Sequence, residues 1–171
     1  ITDPIGGIKG NFAMVGVFEK GKADVKFTAK GNGGHARAPS PNSPIIRLSA
    51  FVTDVDRHDP FRKKMLPEVA AMFRTLAPYA GTGLRYVFEN LWLFRGLLTK
   101  FMPKISAQGA AMLKTTIAFT MQSGSDAVNV MPQEASVSAN MRFIPHQGMK
   151  ESLDIIRKRA DEYGLSTEIG R

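Results

Sequence analysis

The sequence predicts an α+β fold in which an antiparallel sheet is covered on one face by two helices. Three segments, 22–30, 114–122 and 134–143, alternate apolar and polar side chains, which is typical of strands with one buried and one exposed face. Two others, starting near 44 and 148, carry a single apolar stripe at helical spacing. The fraction of apolar residues, 43%, is ordinary for a globular chain.

The N-terminal region predicts a strand at 12–19, a turn, and a second strand at 22–30, paired as a hairpin. In the second strand, Val25, Phe27 and Ala29 form the apolar face. Residues 31–42 contain three glycines and two prolines, which predicts a loop.

A helix is predicted directly after this loop. Ser43 suits the N-cap and Pro44 suits the first helical position. Its apolar stripe is formed by Ile45, Leu48, Val52 and Val55.

Residues 57–110 interrupt this pattern and predict an inserted helical hairpin, with helices at about 67–77 and 83–101. It is either buried, or a wall for an apolar substrate or for the neighbouring domain. The second helix is heavily apolar. Four charged residues interrupt it, so it is not predicted to span a membrane: Arg85, Glu89, Arg95 and Lys100.

Strands follow at 114–122 and 134–143, then a helix at about 148–163 that Gly164 ends, and a short strand at 165–170. With the insertion set aside, the order is strand, strand, helix, strand, strand, helix, strand. This order predicts a ferredoxin-like arrangement with both helices on one face of the sheet. The whole of 1–171 is predicted to be a single domain carrying the insertion.

The composition excludes several classes of protein. The chain has no cysteine, which excludes a disulfide scaffold, a thiolate zinc site and a cysteine nucleophile. It also fits a reducing compartment, and we expect a cytoplasmic protein. The formal net charge of +8 is compatible with nucleic acid, anionic lipid or an anionic substrate.

Three motifs are interpreted as structural. The acidic run from Asp54 to Asp59 fails the calcium-loop template, because Asp59 stands where glycine is needed. The glycine-rich run 31–36 resembles a dinucleotide loop, but two prolines delay the helix that must follow it. Ser123 and Ser125 lack a nucleophile elbow and are interpreted as turn residues.

Two residues have a structural and a functional interpretation. His35 lies between glycines and prolines; it is either a solvated loop residue or a side chain held out from the scaffold in a fixed direction. Arg142 is either a solvated sheet residue or a clamp for a carboxylate, which a guanidinium fork fits.

Two segments together resemble a known family. The first is Gly-Gly-His35-Ala-Arg-Ala-Pro, between a strand and a helix. The second begins Asn129-Val-Met-Pro-Gln-Glu and leads into a strand ending Asn-Met-Arg142. They resemble the dimerisation, or lid, domain of the zinc metallopeptidase and amidohydrolase family of aminoacylase, acetylornithine deacetylase, succinyl-diaminopimelate desuccinylase and carboxypeptidase S. The insertion 57–110 resembles the longer lid of the carboxypeptidase S branch, and Arg37 departs from the family's usual small residue.

The resemblance implies a homodimer formed through a sheet edge and an adjoining helix. It implies that His35 stabilises an oxyanion in the partner subunit's active site, while Asn129 and Arg142 bind substrate. Two zinc ions are expected in a separate catalytic domain whose ligand motifs this sequence lacks. The chain is therefore expected to be the lid of a longer enzyme that hydrolyses peptides or N-acyl amino acids, without cofactor or activity of its own. It is expected to bind no nucleic acid.

The alternative is a stand-alone ferredoxin-like module that binds a small ligand or RNA. An RNA-recognition fold shares the order of elements at low resolution. However, strand 134–143 has Ser136, Ser138 and Asn140 at the positions where stacking aromatic residues would be needed.

Overall fold

The computed structural model describes residues 8–13, 16 and 19–170, and the chain divides into two compact units. The sheet unit comprises Gly21–Arg62 and Thr115–Arg171, and the helical unit comprises Ile1–Lys20 and Lys63–Lys114. Each unit buries its own cluster of apolar side chains.

The sheet unit contains six strands and two helices: β1 (Gly21–Lys30), β2 (Gly34–His35), α1 (Pro44–Arg57), β3 (Thr116–Ser123), β4 (Val130–Met131), β5 (Glu134–Phe143), α6 (Met149–Glu162) and β6 (Leu165–Gly170). Four strands form an antiparallel sheet in the order β3-β5-β1-β6, and β2 pairs with β4 in a separate two-stranded sheet. This order, with α1 and α6 as the connecting helices, confirms the ferredoxin-like fold.

The buried face of the sheet follows from the alternation in β1 and β5. Val25 lies opposite Ala139 and Phe27 opposite Val137, and these side chains form one buried cluster with residues of α1 and α6. The rings of Phe27 and Phe51 lie 4.8 Å apart, so α1 packs directly on β1. Both helices therefore cover the same face, as predicted.

Two sequence-based predictions in this region are corrected. β1 pairs with β5 on one side and β6 on the other, so no edge between Asp24 and Ala29 remains for the predicted hairpin. Of the predicted strand 12–19, residues 14, 15, 17 and 18 lie outside the described residues, and the other four are not in a strand.

In β3, a bulge between Phe119 and Met121 interrupts the alternation. Met121 is consequently 71% exposed instead of sharing the core with Phe119.

The boundaries of the two covering helices agree with the sequence. Ser43 is the N-cap of α1 and Pro44 its first residue, although the Ser43 side chain makes no capping hydrogen bond. α6 ends at Glu162, with Tyr163 as its C-cap, and Gly164 follows with φ of +64°.

The described part of the helical unit has four α-helices and one 3₁₀ turn: α2 (Pro67–Leu76), the 3₁₀ turn (Ala77–Tyr79), α3 (Thr82–Glu89), α4 (Leu91–Ile105) and α5 (Ala107–Leu113). The predicted two-helix hairpin is therefore wrong in its number of helices. The predicted helix at 83–101 is divided at Asn90, which has φ of −107° and ψ of 41°. Asn90 is the C-cap of α3, and its backbone N–H and its side-chain amide both donate to the Tyr86 carbonyl, at 3.2 and 2.9 Å.

Helix α4 has apolar residues on its exposed side as well as its buried side. Leu91 is 2% exposed, whereas Trp92, Leu93, Leu97 and Phe101 are all exposed. Among the described residues, no helix has the length and apolar character needed to cross a membrane.

Candidate functional site

The His35 loop is fastened to the turn that contains Asn129. His35 lies in β2 opposite Val130 of β4, and the Ala36 N–H donates to the Asn129 carbonyl at 3.0 Å. The fold thus brings together two site residues that are 94 positions apart in sequence.

Glycines allow this loop to lie close to its neighbours. Gly33 has φ of +66°, and a Cβ there would lie 2.7 Å from Cγ of Gln133. A Cβ on Gly31 would lie 2.8 Å from Cγ of Pro44, and the Gly31 N–H donates to the Gln133 carbonyl at 2.7 Å. Larger residues at either position would displace the loop that carries His35.

One nitrogen of the His35 ring is held by the loop itself. The Arg37 N–H donates to Nδ1 of His35 at 3.1 Å. Because Nδ1 is the acceptor, the neutral ring carries its proton on Nε2. His35 is exposed, and its Nε2 forms no hydrogen bond with the described residues, so Nε2–H is available as a donor. Arg37 makes this contact through its backbone, so the contact does not depend on having an arginine side chain where the family usually has a small residue.

The turn that carries Asn129 is stabilised by its own backbone and by a serine. The Val130 N–H donates to the Ala127 carbonyl at 3.2 Å, and Ser125 Oγ donates to the same carbonyl at 3.0 Å. Ser125 is thus a turn residue, as predicted, but the same prediction is wrong for Ser123, which is the last residue of β3 and lies opposite Ser136 of β5. The Asn129 side chain is exposed and forms no hydrogen bond with the described residues.

Arg142 lies on β5, on the sheet face opposite the helices. It is exposed, and its Nε donates to Oδ1 of Asn140 at 3.0 Å. Nδ2 of Asn140 in turn donates to Oδ1 of Asp24 on β1 at 2.6 Å. The guanidinium is therefore oriented by a two-step chain that ends in a carboxylate.

Within one chain, Arg142 is remote from His35 and Asn129. Arg142 lies eight positions after Glu134 on β5. At about 3.3 Å per residue, this is about 26 Å along the strand. His35 and Asn129 lie beyond the Glu134 end, beside β4. The described residues thus form two groups at opposite ends of β5.

The acidic run at the end of α1 forms an ion-pair network between α1 and α6. Asp54 contacts His58 Nδ1 at 2.8 Å and Arg159 Nη1 at 3.0 Å. The hydrogen bond from His58, followed by the nearby Arg159 charge, holds the pKa of Asp54 below its ordinary value despite partial desolvation. The described residues contain no group of three or more His, Asp or Glu side chains placed to hold a metal ion.

Sequence reasoning did not identify the residues that orient Arg142. Asp24 was assigned only to the polar face of a strand, because its contact with Asn140 depends on the β1–β5 register. The available signal was the i, i+2 spacing of Asn140 and Arg142 on one face of a strand.

Comparisons with known proteins identify relatives along most of the chain. The family model described as "Peptidase dimerisation domain" matches residues 17–168. The probable carboxypeptidase S-like 2 of Dictyostelium discoideum is 28% identical over 152 residues, covering 89% of this chain and 29% of the relative. The N-fatty-acyl-amino acid synthase/hydrolase PM20D1 of Xenopus tropicalis is 30% identical over 159 residues, covering 90% of this chain and 30% of the relative. The chain thus spans about three tenths of the length of these curated relatives.

A solved structure shares the fold. The dipeptidase Dug1p of Saccharomyces cerevisiae matches 88% of this chain and 35% of its own chain, with a TM-score of 0.54. At 12% sequence identity, this similarity concerns the fold alone.

Proposed function

The chain belongs to the family of peptidase dimerisation domains, and from this we propose that it is the dimerisation and substrate-lid domain of a zinc-dependent, carboxypeptidase-like hydrolase. The substrates proposed are peptides or N-acyl amino acids, in keeping with the names of the carboxypeptidase S-like and N-fatty-acyl-amino acid relatives. The isolated chain is proposed to be inactive. A cytoplasmic location stays a prediction.

We propose that the dimer forms through the β3 edge and α1. β3 and β6 are the outer strands of the sheet, and a strand edge with unpaired backbone groups favours pairing with a copy. Both β3 and α1 carry exposed apolar side chains, Ile45 and Ile46 on α1 and Met121 on β3. A Cβ added to Gly124, directly after β3, would lie 3.1 Å from Cδ1 of Ile45. At the other edge, β6 is in contact with α6, whose exposed residues are mainly charged. The β3 edge also leads into the loop that carries Asn129.

One observation carries the proposal that two copies build each active site. His35 and Asn129 meet at one end of β5, and Arg142 lies about 26 Å along the strand from that end. A single small substrate does not extend over that distance. We therefore assign His35 and Asn129 of one subunit, and Arg142 of the other, to the same substrate.

The chemistry of each group fits this assignment. The Nε2–H of His35 is a donor that stabilises the negative oxygen formed when an amide carbonyl is attacked, and such a donor contributes about 3 kcal/mol. The Arg142 guanidinium fits the free carboxylate of a peptide or N-acyl amino acid.

The proposed zinc ions are not assigned to residues of this chain. Its described residues offer no cluster of metal ligands, and the chain has no cysteine. When bound by the remainder of the protein, the metal ions would supply an activated water. The lid would contribute the oxyanion donor and the carboxylate clamp.

Subunit mixing in the full-length protein tests the assignment. The His35→Ala and Arg142→Ala homodimers should each be nearly inactive at substrate concentrations below KM. In a mixed dimer, the active site of the His35→Ala subunit has its own Arg142 and receives His35 from its partner. Random mixing makes half the dimers mixed, with one good site of two, so about a quarter of wild-type activity should return.

A matched mixture provides the control. A mixture of His35→Ala and Asn129→Ala should recover no activity. Each active site is proposed to receive both residues from the same partner subunit, so every site in a mixed dimer lacks one of them. The assignment is wrong if the first mixture recovers no activity while subunit exchange is verified, or if both mixtures recover equally.

A further inference from the structure

Lys22 lies directly opposite Arg142 in the register of β1 and β5. Both side chains are exposed on the sheet face that the helices leave open. Like charges directly across two strands destabilise a sheet, because their Cβ atoms are only about 5 Å apart. Among the described residues, neither Lys22 nor Arg142 forms an ion pair.

The acidic residue beside this pair is committed to another contact. Asp24, two residues along β1 from Lys22, accepts the Asn140 amide at 2.6 Å and forms no ion pair with either cation. Asn140 in turn accepts from Nε of Arg142, so the Arg142 side chain is oriented while its two Nη groups form no hydrogen bond with the described residues. The local arrangement thus holds two cations side by side and leaves their donors available.

We propose that Lys22 is a second cation for the substrate carboxylate that Arg142 binds. Arg142 offers two parallel N–H donors to the carboxylate, and the Lys22 ammonium adds a point charge from the neighbouring strand. Asp24 and Asn140 act as positioning residues for Arg142. This inference rests on the proposed function, since it takes the carboxylate to be that of the substrate.

The pair makes the site selective for substrates with a free carboxylate over neutral ones. A carboxylate relieves the repulsion between Lys22 and Arg142, whereas a carboxamide leaves both cations without a counter-charge. Charges near a protein surface attract each other only moderately because solvent screens them, so removing Lys22 should weaken binding about five- to tenfold.

Kinetics of the full-length protein test this inference. The probes are the compound hydrolysed fastest in a panel of dipeptides and N-acyl amino acids, and the same compound with its carboxylate replaced by a carboxamide. Lys22→Ala should raise KM for the carboxylate about five- to tenfold with kcat unchanged. Lys22→Arg should restore KM, and neither variant should change kcat/KM for the carboxamide.

Lys26→Ala is the matched control. Lys26 is exposed on the same strand and face but lies opposite Ser138 and Glu168. The Lys26→Ala substitution removes the same charge four residues away and should leave KM unchanged. This result would show that Lys22 acts through a local contact with the carboxylate and not through the general positive field of the surface. Thermal melts confirm that each variant is folded.

The outcomes separate this inference from the proposed function. If Arg142→Ala raises KM and Lys22→Ala does not, the role of Lys22 is wrong and the proposed function stands. If neither variant changes KM for the carboxylate, or if no member of the panel is hydrolysed, both are contradicted. An equal loss of kcat/KM for carboxylate and carboxamide would make Lys22 a structural residue and overturn the inference.

Discussion

The sheet unit and the helical unit use their apolar residues differently. In β1 and β5 of the sheet unit, apolar residues face the helices, and the opposite face carries Lys22, Asp24, Asn140 and Arg142. In the helical unit, residues of the same types lie both in the core and on the surface. Phe73 on α2 is 0% exposed, whereas Trp92 on α4 is 78% exposed.

In the sheet unit, the residues that stabilise the fold are therefore distinct from those that can bind a ligand, whereas in the helical unit the two sets are not separated by position. A period of two assigns alternate positions to the core and to solvent, so outward residues of β1 and β5 can carry binding groups without disturbing packing. A helix has no such strict alternation, and hydrophobicity alone does not identify which Leu, Phe or Trp of the insertion is buried.

The largest effect is expected from truncating buried aromatic residues. Phe51 contacts the rings of Phe27, Phe119 and Tyr163, with centroid distances of 4.8 to 6.0 Å. Phe51→Ala should lower the free energy of unfolding by about 3–5 kcal/mol in urea titrations of the chain, and Phe73→Ala should do the same in the helical unit.

Trp92→Ala is the control for both truncations. It removes the largest side chain of the helical unit from an exposed position and should change the free energy of unfolding by less than about 0.5 kcal/mol. A loss comparable to that of Phe73→Ala would show that the surface of α4 is covered, and would contradict the contrast between the two units.

The sequence predicted the sheet unit better than the helical unit for a physical reason. Alternation placed Val25, Phe27 and Ala139 in the core, and 134–143 has the same bounds in the structure as in the prediction. The division of helix 83–101 at Asn90 was missed because the apolar run continues through Leu91 without a proline or glycine. The bulge that exposes Met121 has no sequence signal of its own.

The candidate site was predictable only as separate residues. Resemblance to a family singled out His35, Asn129 and Arg142, and their roles stay predictions. Two features required the structure, since both depend on pairing between distant segments. These are the meeting of His35 with the Asn129 turn and the position of Lys22 opposite Arg142.

A pair of glycine substitutions should have opposite effects in the two units. Gly164 follows α6 with φ of +64°, and an added Cβ would lie 2.9 Å from Nη1 of Arg47. Gly164→Ala should therefore cost about 1–2 kcal/mol of unfolding free energy. Gly96 lies within α4 with no atom within 4 Å of an added Cβ, and Gly96→Ala should stabilise by about 0.5–1 kcal/mol.

Thermal or urea unfolding of both glycine variants measures this contrast. Gly164→Ala also displaces Arg47, whose guanidinium donates to the carbonyls of Gly164 and Lys30. We therefore expect the hydrogen bond between α1 and the end of β1 to be lost. A stabilised Gly164→Ala chain, or a destabilised Gly96→Ala chain, would contradict the assigned backbone conformations.

The smallest and most condition-dependent effect is expected from the charges on helices. In the sheet unit, Asp54 on α1 contacts Arg159 on α6, and the hydrogen bond from His58 is the main cause of its lowered pKa. A carboxyl whose pKa is lower in the folded state stabilises it above the ordinary value of 3.8 and loses this contribution as pH falls through the folded pKa. Asp54→Asn should therefore destabilise the chain at pH 7, and the difference from wild type should shrink progressively below pH 3.8.

Glu89 of the helical unit supplies the comparison for this titration. Its ion pair with Arg85 lies within one helix, and both side chains are about half exposed, so Glu89→Gln should change stability little at any pH. Urea midpoints of wild type, Asp54→Asn and Glu89→Gln between pH 2.5 and 7 measure both effects. A constant Asp54→Asn difference down to the lowest pH would mean that its carboxylate charge does not stabilise the fold. An equal, pH-dependent effect from Glu89→Gln would remove the distinction between a contact that links two helices and one confined to a single helix.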